Sequence, residues 1–271
     1  VEMWFQVLFY SLVVTLVFTV LGLNAFSMKE LMKSLFPVTF DVYWYFTAYF
    51  ALFFAMPILN KFLVSADEKT LRKMFIIIVA LYSIVDIEAD SFKTEWGYSA
   101  IWLMVLYCIG VLAQRIRLFE KRKSITLIAI WAACMVFTWF IRVYLGIGRL
   151  INYVSPTILL SGIIMVVLFS RCRPNPKLIK PLAPLAFGIY LFQLNPVVWK
   201  ILKDAFIDVL SMNIANGLAH VFLYSSYIFL AGLAVEYIRK RIAKVLRISL
   251  LSEKIVHFID SGLGKLGVIL K

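Results

Sequence analysis

The chain has 271 residues, of which 63% are hydrophobic and only 16% charged. Soluble domains are about 45–50% apolar, so this excess excludes an ordinary soluble enzyme and indicates a polytopic membrane protein. The net charge of +13 does not indicate a nucleic-acid partner, because lysines and arginines come in short groups between apolar runs, where they set membrane orientation.

In chain order, eight membrane segments are predicted, at about 4–23, 42–63, 74–88, 98–114, 125–145, 152–170, 183–202 and 216–238. The predicted fold class is an all-α polytopic helix bundle. Residues 4–23 follow no basic stretch, so they read as a span and not as a signal peptide. The third segment is the shortest, with an apolar core from Phe75 to Val85 followed by Asp86, Glu88 and Asp90. Counting it keeps the connecting loops alternating between poor and rich in Lys and Arg. The poor loops carry Lys29 and Lys33, then Lys93, then Arg142 and Arg149, then Lys200 and Lys203. The rich ones carry Lys61 to Lys73, Arg115 to Lys123, and Arg171 to Lys180, and the tail continues with Arg239 to Arg247. By the positive-inside rule both ends are then cytoplasmic. Residues 1–240 form the integral-membrane domain. Residues 241–271 form a basic amphipathic cytoplasmic tail, read as a helix lying on anionic lipid.

Motifs of soluble enzymes are missing. The three cysteines form no CxxC, so neither a metal site nor a disulfide framework is indicated. Gly262, Gly264 and Gly267 spell GxGxxG without a preceding strand, which is chance in a tail. The two histidines are His220, near the end of the last span, and His257 in the tail. The polar residues within or beside spans are the informative ones, since hydrocarbon tolerates them only with a partner or a purpose. Arg142 follows WAACMVFTWFI, and Asn60 lies one turn after Pro57. Glu236 has Arg239 and Lys240 within a helical turn, a spacing for a local ion pair. Gln193 and Asn195 flank the break expected at Pro196 in FGIYLFQLNPVVWKIL. Proline removes one backbone donor and is expected to leave the carbonyl near Phe192 open. Amides beside it can restore the bond, either within packed helices or at a polar cavity.

Four blocks in order carry a resemblance. VYWYFTAYFALFFAMPILNKFL pairs aromatic residues with a helix that ends Pro-x-x-Asn. IWLMVLYCIGVLAQR places Tyr107 and Gly110 before a basic loop. YVSPTILLSGIIMVVLF starts a later helix with Tyr-x-Ser-Pro, and FGIYLFQLNPVV ends in Asn-Pro. Together they resemble the bacterial integral-membrane acyltransferase 3 family, of the cell-surface polysaccharide O-acetyltransferase type, over essentially all of residues 1–240. The resemblance implies a membrane-embedded acyltransferase, of the class transferring groups other than aminoacyl groups. It would move an acyl group, acetyl above all, from acyl-CoA as co-substrate to a cell-envelope saccharide at the bacterial inner membrane, with no bound cofactor.

The family has two spans more than are counted here, and the first of its spans holds a histidine used in transfer. Gln193 stands where many members have histidine, and an amide cannot serve as a base near neutral pH. The expectation is therefore that this chain is the C-terminal part of the enzyme, with the histidine upstream of Val1, and is inactive alone. Gln193, Asn195, Arg142 and Asn60 are the substrate-binding candidates. Arg115, Arg117, Arg171 and Arg173 are candidates for the acyl-CoA phosphates. Two other readings stand beside this one. A transporter or flippase of a lipid-linked or polysaccharide substrate would use the breaks at Pro57 and Pro196. An unrelated membrane acyltransferase would use His220 as its base.

The charge alternation makes a prediction. In a background without native cysteines, Lys93→Cys should react with an impermeant thiol reagent added outside, and Lys121→Cys should not. Reaction at position 121 and not at 93 would invert the orientation.

Overall fold

The computed structural model of the chain describes residues 1–172 and 176–269. Every regular element among them is helical. The principal helices are α1 (Glu2–Val20), α2 (Met28–Leu35), α3 (Trp44–Ser65) and α4 (Glu68–Val79), which widens into a π-turn over Ala80–Val85. Then come α5 (Ala100–Arg115), α6 (Ser124–Tyr144), α7 (Pro156–Arg171), α8 (Pro176–Leu182), α9 (Ala186–Gln193) and α10 (Pro196–Val209). The chain ends with α11 (Ile214–Val245) and α12 (Ile248–Ile269).

Each of the eight expected segments falls on helix. Among the described residues five helices are long and apolar enough to cross a membrane: α1, α3, α6, α7 with its preceding turn, and α11. A sixth crossing exists only if Ile179–Gln193 and α10 count as one span bent by 76°. The remaining two segments, on α4 and α5, are shorter. Large apolar side chains such as Ile58, Phe169 and Phe222 are exposed on α3, α7 and α11. Such surfaces suit lipid, where burying them in protein would gain little.

The chain divides into two compact units, Val1–Tyr43 with Asn175–Lys271, and Trp44–Pro174. In the second unit α5 is the organising element although it has only 16 residues. Trp102, Val105, Ile109, Leu112 and Ile116 are all buried, at steps of three and four that put them on one helical face. The N-terminal part of that stripe packs with Val154 and Leu159, the C-terminal part with Leu63 and Leu71. The loop between α4 and α5 is held by buried Asp86, which accepts from the Phe92 N–H at 2.8 Å and the Thr94 hydroxyl at 2.7 Å.

In the first unit α9 packs on α11, and α12 lies against α1 and α11. The α9–α11 contact is close because of small residues. A Cβ added at Gly232 would stand 3.1 Å from the Ile189 Cα, and one at Gly188 would stand 2.7 Å from the Glu236 Cδ. Helix α11 has 32 residues, about 48 Å at 1.5 Å per residue, against a hydrocarbon core of about 30 Å. It therefore projects beyond the core, and residues 241–245 continue it without a break. The turn into α12 is made at Arg247, whose φ is 51°.

Candidate functional site: a buried polar cluster around Glu236

The densest polar cluster lies in the first unit, on α1, the α9–α10 junction and α11. Its centre is Glu236, whose side chain is 0% exposed. Arg239, one turn later on α11, grips it in a fork, Nε to Oε2 at 2.8 Å and Nη2 to Oε1 at 2.7 Å. From α1 the Tyr10 hydroxyl donates to Oε2 at 2.9 Å and the Gln6 amide at 3.3 Å. A carboxylate out of water needs this many partners, because an unpaired buried charge is among the most costly groups in a fold. The ion pair expected from the spacing is therefore made with Arg239, and two residues over two hundred positions earlier complete it.

Helix α1 is shaped for the contact. Gln6 and Tyr10 are four residues apart, and Tyr10 and Thr15 five. A plain α-helix would rotate Thr15 off that face, but a π-turn over Phe9–Val14 widens the helix by one residue and restores it. Asn195 uses the result. Its Nδ2 donates to the Tyr10 carbonyl at 2.9 Å and to the Thr15 hydroxyl at 3.1 Å. Its Oδ1 accepts from the Val197 N–H at 3.0 Å, capping α10, with Pro196 in the first helical position. Buried Tyr43 also reaches Asn195.

This corrects one expectation. The break does not leave the Phe192 carbonyl open, since it accepts from the Asn195 N–H at 3.2 Å. Pro196 opens a new helix at a position where no N–H is needed; it does not damage an existing one. Asn195 is fully buried, and its side-chain amide is taken up by α1 and by the start of α10. Gln193, two residues earlier, is exposed and takes no part in the cluster.

The other predicted residues are spread through the second unit. Asn60 accepts from the Tyr107 hydroxyl at 2.6 Å, joining α3 to α5. Helix α3 continues through Pro57. Arg142 is exposed near Gly148 and makes no hydrogen bond or ion pair among the described residues. Arg115 donates to the Leu63 carbonyl and, at 3.3 Å, to that of Val64. It thereby closes the end of α3, whose last carbonyls have no partner within the helix. Arg171 does the same for the loop before α6, donating to the carbonyls of Phe119 and Arg122 at 2.9 Å each and to the Ser124 hydroxyl at 3.1 Å. Arg117 is exposed and lies 3.8 Å from the Glu120 carboxylate. Arg173 lies outside the described residues. In the first unit His220 is half-buried, its Nδ1 2.9 Å from the Asn216 carbonyl.

The cluster thus contains three residues that the sequence pattern did not single out, Gln6, Tyr10 and Thr15. The Gln6–Tyr10–Thr15 spacing was the available signal. Arg239 spends two of its five N–H donors on Glu236, and the other three make no hydrogen bond among the described residues. The neighbouring Ser11 hydroxyl is buried with no partner among the described residues.

A family profile described as an acyltransferase domain, that of the acyltransferase 3 family, matches residues 3–238. No curated protein and no solved structure matches the chain.

Removing one partner of a buried pair is strongly destabilising, so Glu236→Ala should lower unfolding stability in detergent by about 3–5 kcal/mol. Tyr10→Phe, which loses a hydrogen bond to a charged group, should cost about 1.5–3 kcal/mol. In a double-mutant cycle the two should be non-additive. Additive losses would mean that Tyr10 and Glu236 do not meet.

Proposed function

The chain belongs to the acyltransferase 3 family, and on that premise we propose that it moves an acyl group, acetyl in the simplest case, from acyl-CoA to a hydroxyl of a cell-envelope saccharide. The setting proposed is the bacterial inner membrane, with both ends cytoplasmic. The observation that carries the reading is the acyltransferase match over residues 3–238 on a chain with five helices able to cross a membrane.

Transfer from a CoA thioester needs cations for the donor's phosphates, hydrogen-bond donors for the developing oxyanion, and a base for the acceptor hydroxyl. Of the arginines first considered for the phosphates, Arg115 and Arg171 are committed to carbonyls. Arg239 is better placed chemically. Glu236 fixes its orientation, its side chain is 14% exposed, and it retains open donors. It sits on the part of α11 that the charge pattern assigns to the cytoplasmic side, where acyl-CoA is found. Asn195 acts as a positioning residue, holding the π-turn of α1 and so Tyr10 against Glu236.

A base is not evident in the cluster. Neither histidine belongs to it, and Gln193 is an amide. The reading therefore carries the expectation that a segment encoded upstream of Val1 supplies the base, and that residues 1–271 alone turn over no acetyl-CoA.

The test uses inner membranes from cells producing these residues together with the upstream coding sequence. Labelled acetyl-CoA should yield alkali-labile label on envelope saccharide. Arg239→Gln should raise KM for acetyl-CoA by about tenfold, the equivalent of one charge-assisted hydrogen bond, and Arg239→Lys should recover part of it. Absence of saccharide label would refute the proposed donor and acceptor. An unchanged KM in Arg239→Gln would remove Arg239 from donor binding.

A further inference from the structure

The unit Trp44–Pro174 holds a cavity of about 1020 Å³ between α5 and α7 that plays no part in the reading above. It is as large as the upper end of ordinary small-molecule sites, about 300–1,000 Å³. Two glycines line it, Gly110 on α5 and Gly162 on α7, and a Cβ added at either would meet nothing within 4 Å, so a larger side chain there would enter the open space. Between them the wall is aliphatic, with Leu106, Ile163 and Val166.

The two ends differ. One is aromatic, with Trp44, Tyr45 and Tyr153. At the other lie Gln114, Arg117, Glu120, Ser170 and Arg171. The wall residues of α5 run from Trp102 to Gln114, about 18 Å along a helix, close to half of the ~30 Å hydrocarbon core and so to the depth of one leaflet. The polar end has two arginines against one carboxylate, and a basic loop follows it. Arg117 is 78% exposed in its side chain, it lies 3.8 Å from the Glu120 carboxylate, and the loop continues with exposed Lys121, Arg122 and Lys123.

We propose that this slot is a binding site for an anionic phospholipid, its acyl chain lying past Gly110 and Gly162 and its phosphate held by Arg117 and the Lys121–Lys123 run. Three independent features point to this occupant. The wall is apolar along its length, as a hydrocarbon chain requires. The length matches one leaflet. The cations stand at one end only, where a headgroup would lie, and basic residues beside a membrane helix favour anionic headgroups. A neutral ligand would leave the cationic end without a role, and a free phosphate would leave the aliphatic wall without one. The inference does not depend on the acyl-transfer reading.

The test is native mass spectrometry of the full chain released from nanodiscs containing equimolar phosphatidylglycerol and phosphatidylcholine. The wild type should retain phosphatidylglycerol in clear preference to phosphatidylcholine. Gly110→Leu with Gly162→Leu should abolish retention, and Arg117→Gln with Lys121→Gln should weaken the preference by about fivefold per charge removed. Equal retention of the two lipids, or undiminished retention in the leucine variant, would overturn the proposal. So would displacement of the lipid by acetyl-CoA, which would assign the slot to the acyl donor. If the leucine variant does not fold, phosphatidylglycerol brominated on its acyl chain provides the decision with conservative changes only. It should quench less tryptophan fluorescence in Trp102→Phe than in the wild type, in proportion to a lost wall residue, and identical quenching of the remaining signal would contradict the site.

Discussion

Hydrocarbon offers no hydrogen bonds, so a chain of this composition must satisfy its polar groups from within. That requirement governs where its charged and amide side chains go. Glu236 is buried and therefore gathers Arg239, Tyr10 and Gln6. The start of α10 is buried and therefore takes a cap from Asn195. The end of α3 and the loop before α6 leave carbonyls open, and Arg115 and Arg171 close them. Each of these side chains could be mistaken for a ligand group if only its type and position were considered. The useful distinction is between donors spent on the fold and donors without a partner among the described residues, and Arg239 and Arg117 keep some of the second kind.

The same requirement explains why the broken helix is stable. A 76° bend between α9 and α10 exposes the end of one helix and the start of another. Here both are resolved locally: the Asn195 N–H takes the Phe192 carbonyl, and the Asn195 side chain takes the Val197 N–H. What remains of the amide reaches across to α1. The π-turn of α1 is thus coupled to the break in α9–α10, and the Tyr10 hydroxyl to the carboxylate on α11. A change at Asn195 would be felt at Glu236 without any direct contact between them.

The helical, membrane-crossing character was legible along the chain because apolar runs and loop charges report it directly. So was the importance of Asn195-Pro196, since such a pair within an apolar run demands a physical reason. The direction of side chains was less accessible. Gln193 and Asn195 differ by two positions, but one ends a helix and the other caps the next, so one faces outward and the other inward. The π-turn was hidden as well, because a five-residue step between Tyr10 and Thr15 stands out only when a partner is known to need both. Hydropathy also does not separate a lipid-facing helix from one whose apolar face is a protein core. Helix α5 is apolar because its face is the core of its unit, and that buried stripe looks the same as a lipid-facing one in composition.

The account rests most directly on the bond from Asn195 to the widened turn of α1, within a bilayer. Solid-state NMR on the chain in lipid, with ¹⁵N in the Asn195 side chain and ¹³C in the Tyr10 carbonyl, measures that distance. A hydrogen bond of 2.9 Å from Nδ2 to the carbonyl oxygen places the two labels about 4 Å apart, and strong dipolar dephasing is the predicted result. Absence of dephasing would show that Asn195 points elsewhere, and the closed cluster around Glu236 would lose its link to the broken helix.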